Sequence, residues 1–252
     1  MLQVYTLFSG SSGNCVFVQC DRHCILVDAG GSAKKILTAL AEIGHSPEEI
    51  DAIFITHGHS DHVSALRVLT KRVHAPVYLT GGAEKYVDVA DAACLRIQPP
   101  LFQVQIGQMT VQSFATPHDS DMSVGYVLTT PEGRIGIATD IGYVSPEVQS
   151  ALLGCEYVML EANHDEEMLR YGAYPAILKR RIFSMMGHLS NAQCACFARE
   201  LVENGTRELL LAHLSKENNT PELALQTVAD ALRGTGCHLQ VASRSVPTAL
   251  LG

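Results

Sequence analysis

Short runs in which apolar residues cluster or alternate open the chain: QVYTLF (3–8), CVFVQC (15–20) and CILVDAG (24–30). Gly, Ser, Asn or charged residues bound each run, and the pattern predicts a meander of three strands. From residue 32 the period becomes helical, with Ile36, Leu37, Leu40 and Ile43 on one face and Gly44 as the stop. SPEEI (46–50) puts Ser46 at an N-cap, Pro47 at the first helical position and Glu49 three residues after the cap, a capping box that starts one short turn. A strand AIFIT (52–56), an amphipathic segment 63–73 and a strand PVYL (76–79) follow.

The second half repeats the alternation. Strands are predicted at 104–106, 109–114, 123–129 and 134–138, then a helix at 145–153, strand YVMLE (157–161), helix 191–204, strand ELLLA (208–212), helix 220–232 and a last strand near 238–242. Strands dominate the start of each half and helices its end. The expected fold is therefore of the α/β (α+β) class, an αββα sandwich of two mixed sheets with helices outside, built from two similar halves as one domain over residues 1–252. No linker, low-complexity tract or tandem repeat interrupts it.

Composition narrows the setting. Of the 252 residues 47% are apolar and only 6% aromatic, enough to fill one large core with Ala, Leu, Val and Ile. The N-terminus lacks a basic segment followed by an apolar one, and no stretch approaches the ~18 apolar residues that cross a bilayer. Eight scattered cysteines form no CxxC pair, which suits small buried thiols in a reducing cytosol. A soluble, cytoplasmic protein without membrane contact is expected. The net charge of −8 argues against a generally basic nucleic-acid binder, so a polyanionic substrate needs a local feature to hold it.

THGHSDH (56–62) follows the apolar run Ile53-Phe54-Ile55 and packs His57, His59, Asp61 and His62 into six positions. A strand end delivers its loop to the sheet edge; His57 and His59 can point the same way in extended backbone, and Gly58 permits a tight approach. A single histidine there is best read as solvated. Four ligand types at this spacing after a strand point instead to a metal site.

The HxHxDH motif resembles the signature of the metallo-β-lactamase superfamily. Further strand ends supply matching residues in order: His118 in TPHD, Asp140 in GIATDIG and His213 in LLLAHLS. The resemblance implies two metal sites, His57, His59 and His118 on one ion and Asp61, His62 and His213 on the other, with Asp140 bridging. Taken singly, Asp140 reads equally as a turn aspartate and His213 as a surface or core residue. Imidazoles and carboxylates without thiolate fit two divalent ions, Zn²⁺ or Mn²⁺, with Fe also compatible. Asp rather than Cys at the bridging position resembles the phosphodiesterase and thioesterase branches.

SGSSGN (9–14), LEANHD (160–165), RRIFSMMGHLSN (180–191) and AHLSKENN (212–219) together resemble the YycJ (WalJ) family. That resemblance implies a dinuclear metal-dependent phosphodiesterase acting as a 5′-to-3′ exonuclease on DNA. A metal-bridging hydroxide oriented by Asp61 would attack a terminal phosphodiester while His188 stabilises the departing oxygen. Each stretch has a plainer reading. SGSSGN serves either as a hairpin loop or as a place where phosphate meets backbone N–H groups. HLSN caps a helix through Ser190 and Gln193, with His188 just ahead of it placed for phosphate contact or proton donation. Glu161, Asn163, His164 and Asp165 are either supports or direct contacts, and Lys179, Arg180 and Arg181 either a solvated face or a DNA-backbone contact. A thioesterase or cyclic phosphodiesterase, and a non-catalytic metal-binding regulator, are the alternative functions.

Overall fold

The computed structural model describes residues 1–251. The first sheet contains β1 (Leu2–Phe8), β2 (Cys15–Cys20), β3 (His23–Val27), β4 (Ile50–Phe54), β5 (Val77–Thr80) and β6 (Leu95–Gln98). The second contains β7 (Gln103–Ile106), β8 (Met109–Ala115), β9 (Val124–Thr130), β10 (Gly133–Ala138), β11 (Tyr157–Glu161), β12 (Glu208–Ala212) and β13 (His238–Val241). The closing strand β14 (Thr248–Leu251) returns to pair antiparallel with β1, giving the orders β14-β1-β2-β3-β4-β5-β6 and β13-β12-β11-β10-β9-β8-β7.

Each sheet is an antiparallel meander that becomes parallel part-way. The change falls at β3–β4 in the first sheet and at β10–β11 in the second. The two halves thus share one plan, as the repeated alternation of the sequence predicts. Carboxyl ends of the parallel strands of both sheets supply Asp28, the His57–His62 loop, Asp140, Glu161 and His213. In open α/β sheets this is the edge at which ligands bind.

Period-2 alternation sorts the side chains into layers. In β2, Cys15 and Phe17 face the cluster under α1 (Ala33–Glu42), while Val16 and Val18 face the other sheet. In β12, Leu209 and Leu211 pack beneath α5 (Pro146–Leu152), α8 (Asn191–Glu203) and α9 (Pro221–Ala231), whereas Leu210 and Ala212 join the inter-sheet core. That inter-sheet core is the middle of an αββα sandwich. Tyr126 ties the sheets across it, its hydroxyl donating to the carbonyl of Ile55 at 2.6 Å.

Several expected boundaries shift. The third strand ends at Val27 rather than running to 30, because Asp28 turns into the left-handed region at φ 63°. The amphipathic segment 63–73 is broken into α2 (Ser60–Val63) and α3 (Leu66–Leu69), since α2 begins inside the histidine motif. Ser46–Glu49 forms the expected capping box on a 3-10 turn. Strands β6 and β14, and the short helices α4 (Gly81–Glu84), α6 (Glu166–Tyr171) and α7 (Ala176–Ile182), have no counterpart in the periodicity reading. They are too short for a period to register.

Candidate metal centre

Residues 57–62 descend from the end of β4 with their imidazoles turned inward. His57 Nε2 lies 3.0 Å from His59 Nδ1, and His118 Nε2 lies 3.2 Å from the same atom. The outer nitrogens decide the tautomers. His118 Nδ1 is 3.1 Å from the carbonyl of Gly187, which can only accept, so Nδ1 carries the proton and Nε2 a lone pair. Thr56 Oγ1 gives its own proton to Asp28 and accepts from His57 Nδ1 at 3.0 Å, so His57 Nε2 is likewise a bare acceptor. Three imidazoles therefore point at one spot, two of them with bare Nε2 atoms, and Gly58 allows this turn because any Cβ there would collide with the Tyr86 ring.

A second group adjoins the first. Asp61 Oδ2 is 3.4 Å from both His62 Nε2 and His213 Nε2. Asn14 Nδ2 donates to Asp61 Oδ2 at 3.3 Å and lies 3.1 Å from His62 Nε2, while His62 Nδ1 faces Asp28 Oδ2 at 2.7 Å. His213 Nδ1 sits 2.8 Å from Glu161 Oε1. Asp140 lies between the two groups, with Oδ2 at 3.2 Å from His62 Nε2 and Oδ1 at 3.6 Å from His118 Nε2. Its Oδ2 is buried without a hydrogen-bond partner. A buried carboxylate oxygen without a hydrogen-bond partner among inward-facing imidazoles is the donor set a cation satisfies, so the residues fit divalent metal.

Backbone geometry aims these groups. Asp28, Asp140 and His213 adopt φ of 63°, 57° and 56° at the ends of β3, β10 and β12. Non-glycine residues in this region cost ~1–3 kcal/mol each and gather at functional sites. Here the turn swings each side chain across its strand end toward the same pocket.

Electrostatics separate the two groups. Burial holds His57 well below the usual imidazole range, helped by charge on His62, and burial also lowers His59 and His118. Burial opposes charge on His62 and His213 too, but carboxylates outweigh it. Asp28 and Asp140 hold His62 well above its ordinary value, and Asp140, Asp61 and Glu161 raise His213 to about 10. Burial pushes Asp61 up, yet hydrogen bonds to His213 and His62 keep it well below the carboxylate range. Glu161 is held down to about 2 against its burial, chiefly by His188 and His213.

All seven expected ligand residues, His57, His59, Asp61, His62, His118, Asp140 and His213, converge at this edge. His188 joins them, its Nδ1 2.9 Å from Glu161 Oε1 and its side chain on the wall of a cavity of about 350 Å³ over the centre. The remaining candidates divide. Glu161 also accepts from the amides of Ile141 and Leu189, and Asn163 Nδ2 donates to the carbonyl of His213 at 2.8 Å. His164 turns its ring edge-on to Phe183, and Asp165 caps α6. SGSSGN is a support: Ser9 Oγ accepts from His213 N at 2.8 Å and Asn14 braces Asp61, while Ser11 reaches the cavity. The capping box of Ser190 and Gln193 starts α8. Asp28 and Thr56 were not among the sequence candidates. Asp28, the residue after β3, carries no local signal that separates it from a turn aspartate.

Two stacked mixed sheets with an imidazole and carboxylate cluster at their shared edge define a metal-binding hydrolase scaffold. Residues 9–166 match the family model of the metallo-beta-lactamase superfamily, and the chain belongs to that superfamily, whose members bind metal ions. It is 37% identical to "Exodeoxyribonuclease WalJ" of Streptococcus pneumoniae, covering 96% of this chain and 94% of the relative. It is 34% identical to "Exodeoxyribonuclease YycJ" of Bacillus anthracis, covering 93% and 90%. The crystal structure of the metallo-beta-lactamase fold protein YhfI from Bacillus subtilis superposes with a TM-score of 0.75 over 98% of both chains, at 17% identity, a likeness of fold.

Proposed function

We propose that the chain is a single-domain, dinuclear metal-dependent exodeoxyribonuclease that degrades DNA from the 5′ end. His57, His59 and His118 would hold one divalent ion and Asp61, His62 and His213 the other, with Asp140 between them; Zn²⁺ or Mn²⁺ suits this oxygen and nitrogen set, and Fe is compatible. Bound ions of this kind polarise a phosphoryl oxygen and make water acidic enough to attack at neutral pH. The chain's own groups do the rest. Asp61, braced by Asn14, orients the attacking water by accepting its hydrogen bond. His188 uses Nδ1 to hold Glu161, which leaves Nε2 at the cavity wall to donate a proton to the departing oxygen. Glu161 serves His188 and His213 with one carboxylate oxygen, so the proton donor and the pocket floor are positioned together.

What supports this reading is the orphaned Asp140 oxygen amid inward-facing imidazoles, in a chain similar along nearly its whole length to proteins named exodeoxyribonucleases. Among the described residues no helix is long and apolar enough to cross a membrane, and all eight cysteines are free thiols; we place the protein in the cytoplasm. The test is digestion of 5′-labelled DNA by metal-loaded wild type, His59→Ala and Asp61→Ala. Release of labelled mononucleotide by the wild type and a loss exceeding about 1,000-fold in both variants, with unchanged melting, is expected. Nuclease activity retained in both variants refutes the assignment, and turnover of thioesters or cyclic phosphodiesters with DNA left intact selects the small-molecule alternative.

A further inference from the structure

The chain carries 26 acidic residues, yet none falls between 168 and 199, a stretch that holds Arg170, Lys179, Arg180, Arg181 and Arg199. Part of this stretch, residues 170–186 through the end of α6 and all of α7, overhangs the metal centre. Tyr174, Leu178, Arg181 and Ile182 form one wall of its cavity, and Arg181 is the only lysine or arginine among the lining residues. The segment is anchored at its far end. Arg181 grips Asp119, its Nη2 3.1 Å from Oδ1, and the carbonyl of Gly187 holds His118. His188 N bonds the carbonyl of Ile182 at 3.1 Å, and a side chain at Gly142 would collide with the carbonyl of Met185.

A segment so tethered could bury its apolar side chains, but apart from Ile182 and the half-buried Leu178 it leaves most of the large ones exposed. Tyr171 is 78% exposed, Ile177 72% and Met185 64%, and with Phe183 and Met186 they make five of the thirteen exposed large hydrophobic residues among those described. Arg170 and Arg180 make no side-chain hydrogen bond or ion pair to any described residue, and they flank the wall of the cavity. Unpaired cations interleaved with exposed aromatic faces, in an otherwise acidic molecule, match a strand of nucleic acid: phosphates take the arginines and unpaired bases stack on the rings. A cavity of about 350 Å³ beside these rings is of a size for one nucleotide of an unpaired strand end.

We propose that residues 170–186 are a single-strand-binding lip, with Arg170 and Arg180 on backbone phosphates and Tyr171 and Tyr174 as stacking platforms that lead an unpaired strand end into the cavity. The proposal rests on the nuclease reading and adds the part that grips substrate. It supplies the local positive feature that the overall charge of −8 otherwise lacks.

The experiment is fluorescence anisotropy in EDTA, where nothing is cleaved, with 5′-phosphorylated single-stranded and blunt duplex oligonucleotides over a range of salt. Wild type should bind the single strand about tenfold more tightly. Arg170→Gln/Arg180→Gln should flatten the slope of log affinity against log salt by about 1.4, at about 0.7 for each phosphate no longer neutralised. Tyr171→Ala and Tyr174→Ala should each weaken single-strand binding about tenfold with the slope unchanged. Circular dichroism melts matching wild type show that the folds are intact. If wild type binds and digests DNA while all these variants bind as it does, the lip is wrong and the nuclease reading stands. If wild type neither binds nor digests DNA, both fall. A dimer in sedimentation that Tyr171→Glu dissociates also overturns the lip, because the apolar face then belongs to a second copy.

Discussion

His57 and His118 turn their outer ring nitrogens to a threonine hydroxyl and a backbone carbonyl, whereas His62 and His213 turn theirs to the carboxylates of Asp28 and Glu161. The inner nitrogens of all four face the same pocket, beside Asp61 and Asp140, and the four rings differ further in what stands behind each. A carboxylate behind an imidazole raises its basicity and strengthens it as a ligand; a neutral acceptor orients the ring without that gain. The directions of the proton affinities agree, lowered by burial for His57, His59 and His118 and raised by carboxylates for His62 and His213. On the proposed ligand assignment, one half of the centre would bind metal as neutral ligands without first losing a proton, and the other would exchange protons for metal and then hold it more strongly.

The sharpest probe of this asymmetry is Asp28→Asn, which removes the charge behind His62. Metal affinity of the second group should fall about 10- to 100-fold by competition with a chromogenic chelator. Thr56→Val, which removes the acceptor behind His57, should cost the first group less. Equal losses in the two variants would erase the distinction.

Acidity tests the same point without mutation. His213 is raised to about 10 in the folded chain against about 6.5 unfolded, so its proton stabilises the metal-free protein fully below about pH 6.5, and that contribution is lost as pH rises through about 10. Glu161, lowered to about 2, acts in the opposite sense: its contribution is present above about pH 4.3 and is lost as pH falls through about 2. His57, His59 and His118, all lowered, cost stability as pH falls below about 6.5, so metal-free protein should melt highest near pH 6.5 and its Tm should decline from pH 6.5 to 10. Metal-saturated protein, whose imidazoles have already given up those protons, should hold its Tm across the alkaline range. Parallel calorimetry of the two forms checks this, and identical alkaline slopes would contradict the carboxylate-backed half.

The smallest effect separates fold from centre. Tyr126→Phe deletes the hydrogen bond from the second sheet to Ile55, just ahead of the histidine loop, and should cost about 1 kcal/mol, or ~2–4 °C in Tm. Metal stoichiometry should be unchanged, because no ligand or its backing group moves. A loss of bound metal would mean that the asymmetry depends on how the sheets are joined.

Much of this was legible along the chain. The strands at 157–161 and 208–212 fall where alternation puts them, and the helices at 145–153 and 191–204 differ from α5 and α8 by a residue or so, because capping serines at Ser145 and Ser190 mark their starts. His57, His59, Asp61 and His62 announced themselves by density. Asp28 did not: an isolated aspartate after an apolar strand has the same local signature as any turn residue, and only the fold brings it to 2.7 Å from His62. The lip was equally quiet. Lys179, Arg180 and Arg181 on a short helix read as a solvated face until α7 is seen to wall the cavity.

Local pattern determined the two-halved alternation, the strand-loop histidine motif and the strand-end position of His118, Asp140 and His213, because each is written in residues a few places apart. Which nitrogen of each imidazole faces inward, which carboxylate stands behind it and which segment overhangs the pocket were decided only by the tertiary structure. Those contacts join residues as distant as Ser9 and His213, and a separation of 204 positions carries no pattern that a window of sequence can hold.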